Sequence, residues 1–330
     1  MRVFVAGATG AVGRRLVLLL VADAHDVVAT TRSPDKAAGL RSEGAEPVVL
    51  DVLDREAVLA ALREARPEVV VHQATALSRF AGNLRRFDDE FALTNRLRTE
   101  GTDHLLAAAQ EADGRRFVAQ SFAGWPYART GGPMKSEDDP LDPSPPSNAS
   151  RTLQAIRHLE TAVLGAKDLD GIVLRYGGFY GPGTPFDPSG DLLVAVRRRR
   201  FPIVGDGTGM VSLVHIDDVA QATRAAIERG RPGLYNVVDD DPVPFSEFLS
   251  ALAAMLGAKP PRRVPVWLGR LVVGDQGVSM MTAVRGASNA KAKRELGWQP
   301  RYPSWRQGFA EMLGAAGQTS YRSGEPSAAA

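Results

Sequence analysis

Gly7, Gly10 and Gly13 stand three residues apart, directly after the apolar run Val3 to Ala6 and directly before a stretch with helical spacing. A strand that turns at once into a helix leaves the first helical amides free to hold an anion. One glycine permits the sharp turn, one lets the backbone approach a pyrophosphate, and one lets helix and strand pack closely. Gly7, Thr9, Gly10, Ala11, Val12 and Gly13 are therefore candidate dinucleotide ligands. The next apolar run ends in Ala29-Thr30-Thr31-Arg32-Ser33, with no acid to take a ribose 2′-hydroxyl. Arg32 offers a forked contact to a 2′-phosphate, with Ser33 and Lys36 close by in sequence. The expected cofactor is NADP or NADPH rather than NAD.

Other side chains could act on a substrate. Ser121 ends a valine-rich run and could donate a hydrogen bond to a carbonyl. Trp125, Pro126 and Tyr127 follow it and could wall an aromatic pocket, and Tyr127 and Tyr180 are the phenols nearest in sequence. His72 reads as a core or cofactor-lining group, His158 as structural and His215 as part of a packing motif. Five scattered histidines without paired spacing point to no metal site. Arg197 to Arg200 reads as a helix end facing solvent, in preference to a clamp for an anionic substrate.

These residues need a scaffold. Val3 to Ala6, Val27 to Thr31, Pro47 to Leu50, Val69 to His72 and Phe117 to Gln120 are short apolar runs separated by helical segments such as Arg55 to Glu64. That alternation predicts an α/β fold, a Rossmann-like doubly wound parallel sheet with ligands at the carboxyl ends of its strands. Residues 1–176 and about 211–238 are assigned to the nucleotide-binding domain. About 177–210 and 239–315 form a smaller substrate-binding cap, and 316–330 a disordered tail. The strand–helix–strand set Val211 to Val238 is expected to rejoin the main sheet. The sequence has 330 residues, no cysteine and a formal net charge of +2. The lack of cysteine excludes disulfides and thiolate catalysis, and the small net charge argues against nucleic acid as a partner. The apolar run Leu16 to Ala22 reads as a buried helix, so the expectation is a cytoplasmic protein, monomer or homodimer, acting on a small molecule without membrane or nucleic acid.

Over about 1–315 the chain resembles the extended short-chain dehydrogenase/reductase, or NAD-dependent epimerase/dehydratase, family. Beyond the glycine loop, the resemblance rests on Asp51-Val52, Val71-His72-Gln73-Ala74-Thr75, Gly101-Thr102, Ser121, Tyr180-Gly181-Pro182-Gly183, Val214 to Val219 and Leu296 to Pro300. It implies that Asp51 and Val52 contact adenine and that Gln73, Ala74 and Thr75 lie beside ribose. It implies too that Ser121 is the active-site serine, and that the Tyr180 turn, with Gly178 and Phe179 leading into it, holds the nicotinamide carboxamide. The family's reaction uses a Tyr-x-x-x-Lys pair, often followed by an acid four residues later. Anchored on Glu160, the lysine position is Ile156 and the tyrosine position is Thr152, and no shifted register restores the pair.

A threonine hydroxyl is far too weak an acid to replace an activated tyrosine. In this the chain resembles atypical ketoreductases that tailor aromatic polyketides such as angucyclinones, where the substrate itself is a proton source. The expected function is an NADPH-dependent ketoreductase acting on a bulky, aromatic, natural-product-like substrate, with the proton from substrate or water. A non-catalytic NADP-sensing regulator or scaffold is the alternative. A sugar-nucleotide epimerase or dehydratase ranks third.

Overall fold

Val3, Phe4, Val5 and Ala6 are fully buried, so the first strand, β1 (Arg2–Ala6), is covered on both faces. Such a strand requires helices above and below its sheet. The computed structural model describes residues 1–77 and 82–322, with side chains through Gly314. It adds the strands β2 (Asp26–Thr31), β3 (Glu46–Val49), β4 (Val69–His72), β5 (Arg116–Phe122), β6 (Asp170–Tyr176), the short β7 (Gly178–Tyr180) and β8 (Leu213–His215), and β9 (Gly233–Val237). Seven of these form one sheet in the order β9-β6-β5-β4-β1-β2-β3, parallel throughout. The register sets Val5 beside Ala29 on one side and Val71 on the other, which brings the carboxyl ends of β1, β2 and β4 level. The doubly wound α/β sheet expected from the apolar runs is the fold.

Helices α1 (Ala11–Ala22) and α5 (Ile216–Arg229) cover one face, packing Leu16, Val17 and Leu20 with Val219, Ala222 and Ala226 over the sheet. Helices α2 (Arg55–Ala65), α3 (Thr102–Glu111) and α4 (Ser150–Leu164) cover the other through Leu62, Leu105, Ala109, Leu159 and Val163. One expectation needs correction. Only the second strand of the set after 211 joins the main sheet, as β9. The first, β8, pairs with β7 in a separate two-stranded ladder. Gly177 makes room for this, since a Cβ there would come within 2.7 Å of the Ser212 carbonyl oxygen.

A third core lies beyond the sheet, where Tyr180, Phe248, Trp305 and Phe309 pack among α6 (Phe245–Met255), α7 (Val266–Thr282) and α8 (Trp305–Arg322). Helix α7 breaks at Gly274 (φ 71°), and a Cβ there would lie 2.8 Å from the Arg85 Cα. The tail expected over 316–330 is corrected in part: the final helix continues to Arg322, and residues 323–330 lie outside the described residues. The arginine run closes the short helix Asp191–Arg197; Arg197, Arg198 and Arg200 are exposed, and Arg199 donates to the Pro260 carbonyl at 2.6 Å. No helix among the described residues is long and apolar enough to cross a membrane.

Candidate active site

The loop between β1 and α1 is as tight as its glycines require. Gly7 has φ +90°, and a Cβ on it would sit 2.7 Å from the Ala74 nitrogen. A Cβ on Gly13 would meet the Gly7 carbonyl oxygen at 2.2 Å, so helix and loop touch backbone to backbone. Gly10 caps α1, and neither a side-chain cap nor an acid in the first turn competes for the helix N-terminus. Thr9 and Ala11 are half-buried there and Val12 is buried. The Gly7 amide donates to Thr30 Oγ1 at 3.2 Å, tying the loop to β2. At the end of β2, Thr31 Oγ1 accepts from the Ser33 amide, while Arg32 is exposed and makes no ion pair among the described residues. The residues that end the strand, Thr30 to Ser33, include no acid.

The neighbouring strand ends complete the groove. Asp51 is exposed, and its Oδ1 accepts from the Leu53 amide. Val52 is buried against Gly101. Gln73 is buried; its Nε2 donates to the Tyr176 hydroxyl at 2.9 Å, while its Oε1 is sealed from solvent without a partner. Ala74 and Thr75 are half-buried beside it, and Gly178 and Phe179 are half-buried in β7, the Phe179 ring 5.7 Å from that of Tyr176. Free helix amides, a cradle that any Cβ would fill and an orphaned carboxamide oxygen all fit a bound dinucleotide. His72 lies beneath. Its Nε2 contacts the Leu97 carbonyl at 3.0 Å, and burial pulls its pKa down to about 4, so the ring is neutral.

The candidate catalytic residues fare differently. Thr152 is fully buried, and its Oγ1 donates to Asp88 Oδ1 at 2.6 Å and accepts from Asn95 Nδ2 at 3.0 Å. Ile156 is buried in an apolar cluster with Phe87, Trp125 and Leu153, against which Phe91 and Phe122 pack. Neither position holds a group able to exchange a proton. Ser121 requires a correction: it is buried, and its one hydroxyl proton goes to Glu160 Oε1 at 2.7 Å instead of to a substrate. Strand alternation explains this, because Ser121 and its neighbour Phe122 point to opposite faces, and Phe122 belongs to the aromatic cluster.

Tyr127 and Tyr180 are corrected as proton donors too. Tyr127 donates to Asn236 Oδ1 at 2.7 Å under the Arg175 guanidinium, and burial raises its pKa. Tyr180 stacks on Phe309 at 4.8 Å in the third core, where burial raises its pKa further. A buried phenol that resists ionisation and faces a core serves packing. Trp125 does line the aromatic cluster, edge-on to Phe87 at 5.3 Å. His158 lies on the outer face of α4, paired with Asp103 at 2.8 Å. Asp23, His25 and Glu228 bring ligand atoms within 4.8 Å of one another. The sequence had pointed to no such group, but Arg224 already pairs with both of its carboxylates.

Several residues were not singled out from sequence. Arg175 holds Glu160 in a two-pronged pair, Nε to Oε1 at 2.7 Å and Nη2 to Oε2 at 2.6 Å, beneath Ser121. Asp88 caps the start of α4 by accepting the Arg151 and Thr152 amides. It lies more than sixty positions from them in sequence, so no local pattern signals it. Asn95, which donates to Thr152, and the buried Arg98 lie on the turns before α3.

The model of the NAD dependent epimerase/dehydratase family matches residues 3–237. A "3-diazoavenalumate denitrifying reductase" from a Streptomyces species is 45% identical, over 94% of this chain and 99% of that one. A "4-hydroxy-2-methyl-3-oxo-4-farnesyl-3,4-dihydroquinoline-1-oxide ketoreductase" from Stigmatella aurantiaca is 31% identical, over 78% of this chain and 74% of its own. Among solved structures, a dTDP-glucose 4,6-dehydratase from Streptomyces venezuelae with NAD and TYD bound superposes with a TM-score of 0.74 at 22% identity, over 97% and 98% of the two chains. The reductase-named relatives and the nucleotide groove together make this an NAD(P)-dependent oxidoreductase. The chain belongs to the NAD dependent epimerase/dehydratase family, in which it is an atypical member without the tyrosine–lysine pair.

Proposed function

We propose that this protein is an NADPH-dependent reductase whose acceptor is an aromatic electrophile that needs no proton from the protein, foremost an aryl diazonium compound. One observation carries the reading: where an acid–base pair would stand, the Thr152 hydroxyl donates its hydrogen bond to Asp88 and Ile156 is buried among aromatic rings. Ketone reduction requires a proton on oxygen as hydride adds to carbon. An aryl diazonium does not. Bound NADPH would supply the hydride. The hydride's electron pair forms an N–H bond at the terminal nitrogen, giving an aryldiazene; the C–N bond then breaks, dinitrogen leaves and the hydrogen passes to the ring carbon. Charge and atoms balance without an acid. The half-buried Phe91 and Phe122, packed on the buried Phe87 and Trp125, would offer an apolar surface for the ring. The denitrifying reductase, similar along nearly its whole length, supports this chemistry, and the exposed Arg32, in a strand end that reads Thr30-Thr31-Arg32-Ser33, supports the phosphorylated cofactor.

A second reading is reduction of a hydroxyl-adjacent ketone with the proton taken from substrate or water, favoured by the ketoreductase relative. The test is purified protein with NADPH deuterated at the transferable position, offered aryl diazonium salts and α-hydroxy ketones in parallel. Dinitrogen release with deuterium on the arene is the expected result. Turnover of ketones alone selects the second reading, and NADPH oxidation by neither class overturns both.

A further inference from the structure

We propose that Arg98 is a cofactor-binding residue, its guanidinium donating to the hydroxyls of the nicotinamide-side ribose from a place beneath α4. The proposal rests on the dinucleotide reading above. Arg98 is 5% exposed and donates no hydrogen bond among the described residues; its Nε and Nη1 are sealed from solvent. Its Cζ lies 5.9 Å over the Phe91 ring. The charged or titratable groups that face it are Glu160 and His72. Neither satisfies it. Both Glu160 oxygens are already taken by Arg175, one of them by Ser121 as well, and the His72 ring is neutral.

Burial draws the Arg98 guanidinium down to about 10, which leaves it charged at neutral pH. A buried cation with orphaned donors is expensive, and buried polar groups as a rule have partners. Its position says which partner. Leu97, next to it, accepts from His72 at the end of β4, and Gly101, one turn on, touches Val52 beyond β3. Arg98 thus stands where the carboxyl ends of the strands meet α4, along the edge that a dinucleotide crosses. Oxygen acceptors on a bound ligand would meet the unsatisfied N–H groups.

The experiment measures binding of NADPH, NADH and 2′,5′-ADP by calorimetry to wild type and R98M, with thermal unfolding of each empty protein. R98M should bind both reduced dinucleotides roughly tenfold or more weakly, the scale of a lost charged hydrogen bond. It should bind 2′,5′-ADP as wild type does, because that probe lacks the nicotinamide-side ribose. The empty R98M protein should unfold no earlier than wild type, since methionine fills the space without orphaned donors. Unchanged dinucleotide affinity in R98M, an equal loss for 2′,5′-ADP, earlier unfolding or failure to fold would each make Arg98 a packing group and overturn the proposal. A wild type that binds neither NADPH nor NADH removes the dinucleotide reading itself, and this inference with it.

Discussion

Thr152 Oγ1 and Asp88 Oδ1 lie 2.6 Å apart, and the same Asp88 carboxylate accepts the Arg151 and Thr152 amides in the first turn of α4. The position where this family carries its proton donor is thus given over to anchoring a helix. Removing the anchor should cost stability: D88A loses the acceptor of two α4 amides and leaves the Thr152 hydroxyl proton without an acceptor, about 1–2 kcal/mol together. Thermal unfolding should show a midpoint lower by a few degrees, and an unchanged midpoint would mean that the cap contributes nothing.

Ser121 is held by Glu160, not aimed at substrate. S121A should therefore change kcat by less than about threefold and act mainly on stability, by about 1 kcal/mol. Steady-state kinetics decide the point: a fall in kcat of a hundredfold or more would return Ser121 to the oxyanion role.

Backbone contact between the loop and α1 leaves no room for a side chain at Gly13, where a Cβ would meet the Gly7 oxygen at 2.2 Å. G13A should weaken NADPH binding by at least tenfold, as read by calorimetry. Wild-type affinity in that variant would remove the loop from the binding site.

Arg32 is exposed at the end of β2 and makes no ion pair among the described residues. R32A should weaken NADPH binding by about tenfold and leave NADH binding nearly unchanged, since only the 2′-phosphate contact is lost. Equal losses for both nucleotides would show that this guanidinium does not choose between them.

His72 is neutral in the folded protein because burial holds its pKa near 4, against an ordinary value of 6.5. Between these two values the unfolded chain binds the proton and the folded one does not. Stability contributed at this site is therefore complete above about pH 6.5 and is lost as pH falls towards 4, on the order of 3 kcal/mol in all. H72Q removes the titration. Subtracting its stability–pH profile from that of wild type isolates the effect from that of carboxylates such as Asp239, which burial raises to about 8. A flat difference between pH 4 and 6.5 would contradict the burial of the ring.

Much of the scaffold is written locally. The run Val3 to Ala6 and the three glycines after it dictate a doubly covered strand, a tight turn and an open helix N-terminus, because each depends on near neighbours and on backbone sterics. The vacancy at 152 and 156 is likewise a matter of residue identity, and the structure adds that Ile156 is sealed among aromatic rings. What the sequence left undetermined is where polar side chains spend their hydrogen bonds. Whether Ser121 faces a substrate or Glu160 depends on which side of β5 it occupies, and Glu160 is thirty-nine positions away. Asp88, Arg98 and Arg175 became visible only once distant segments were folded against α4. Hydrophobic periodicity is a one-dimensional signal, whereas the pairing of buried charges and hydroxyls is settled by close approach in three dimensions.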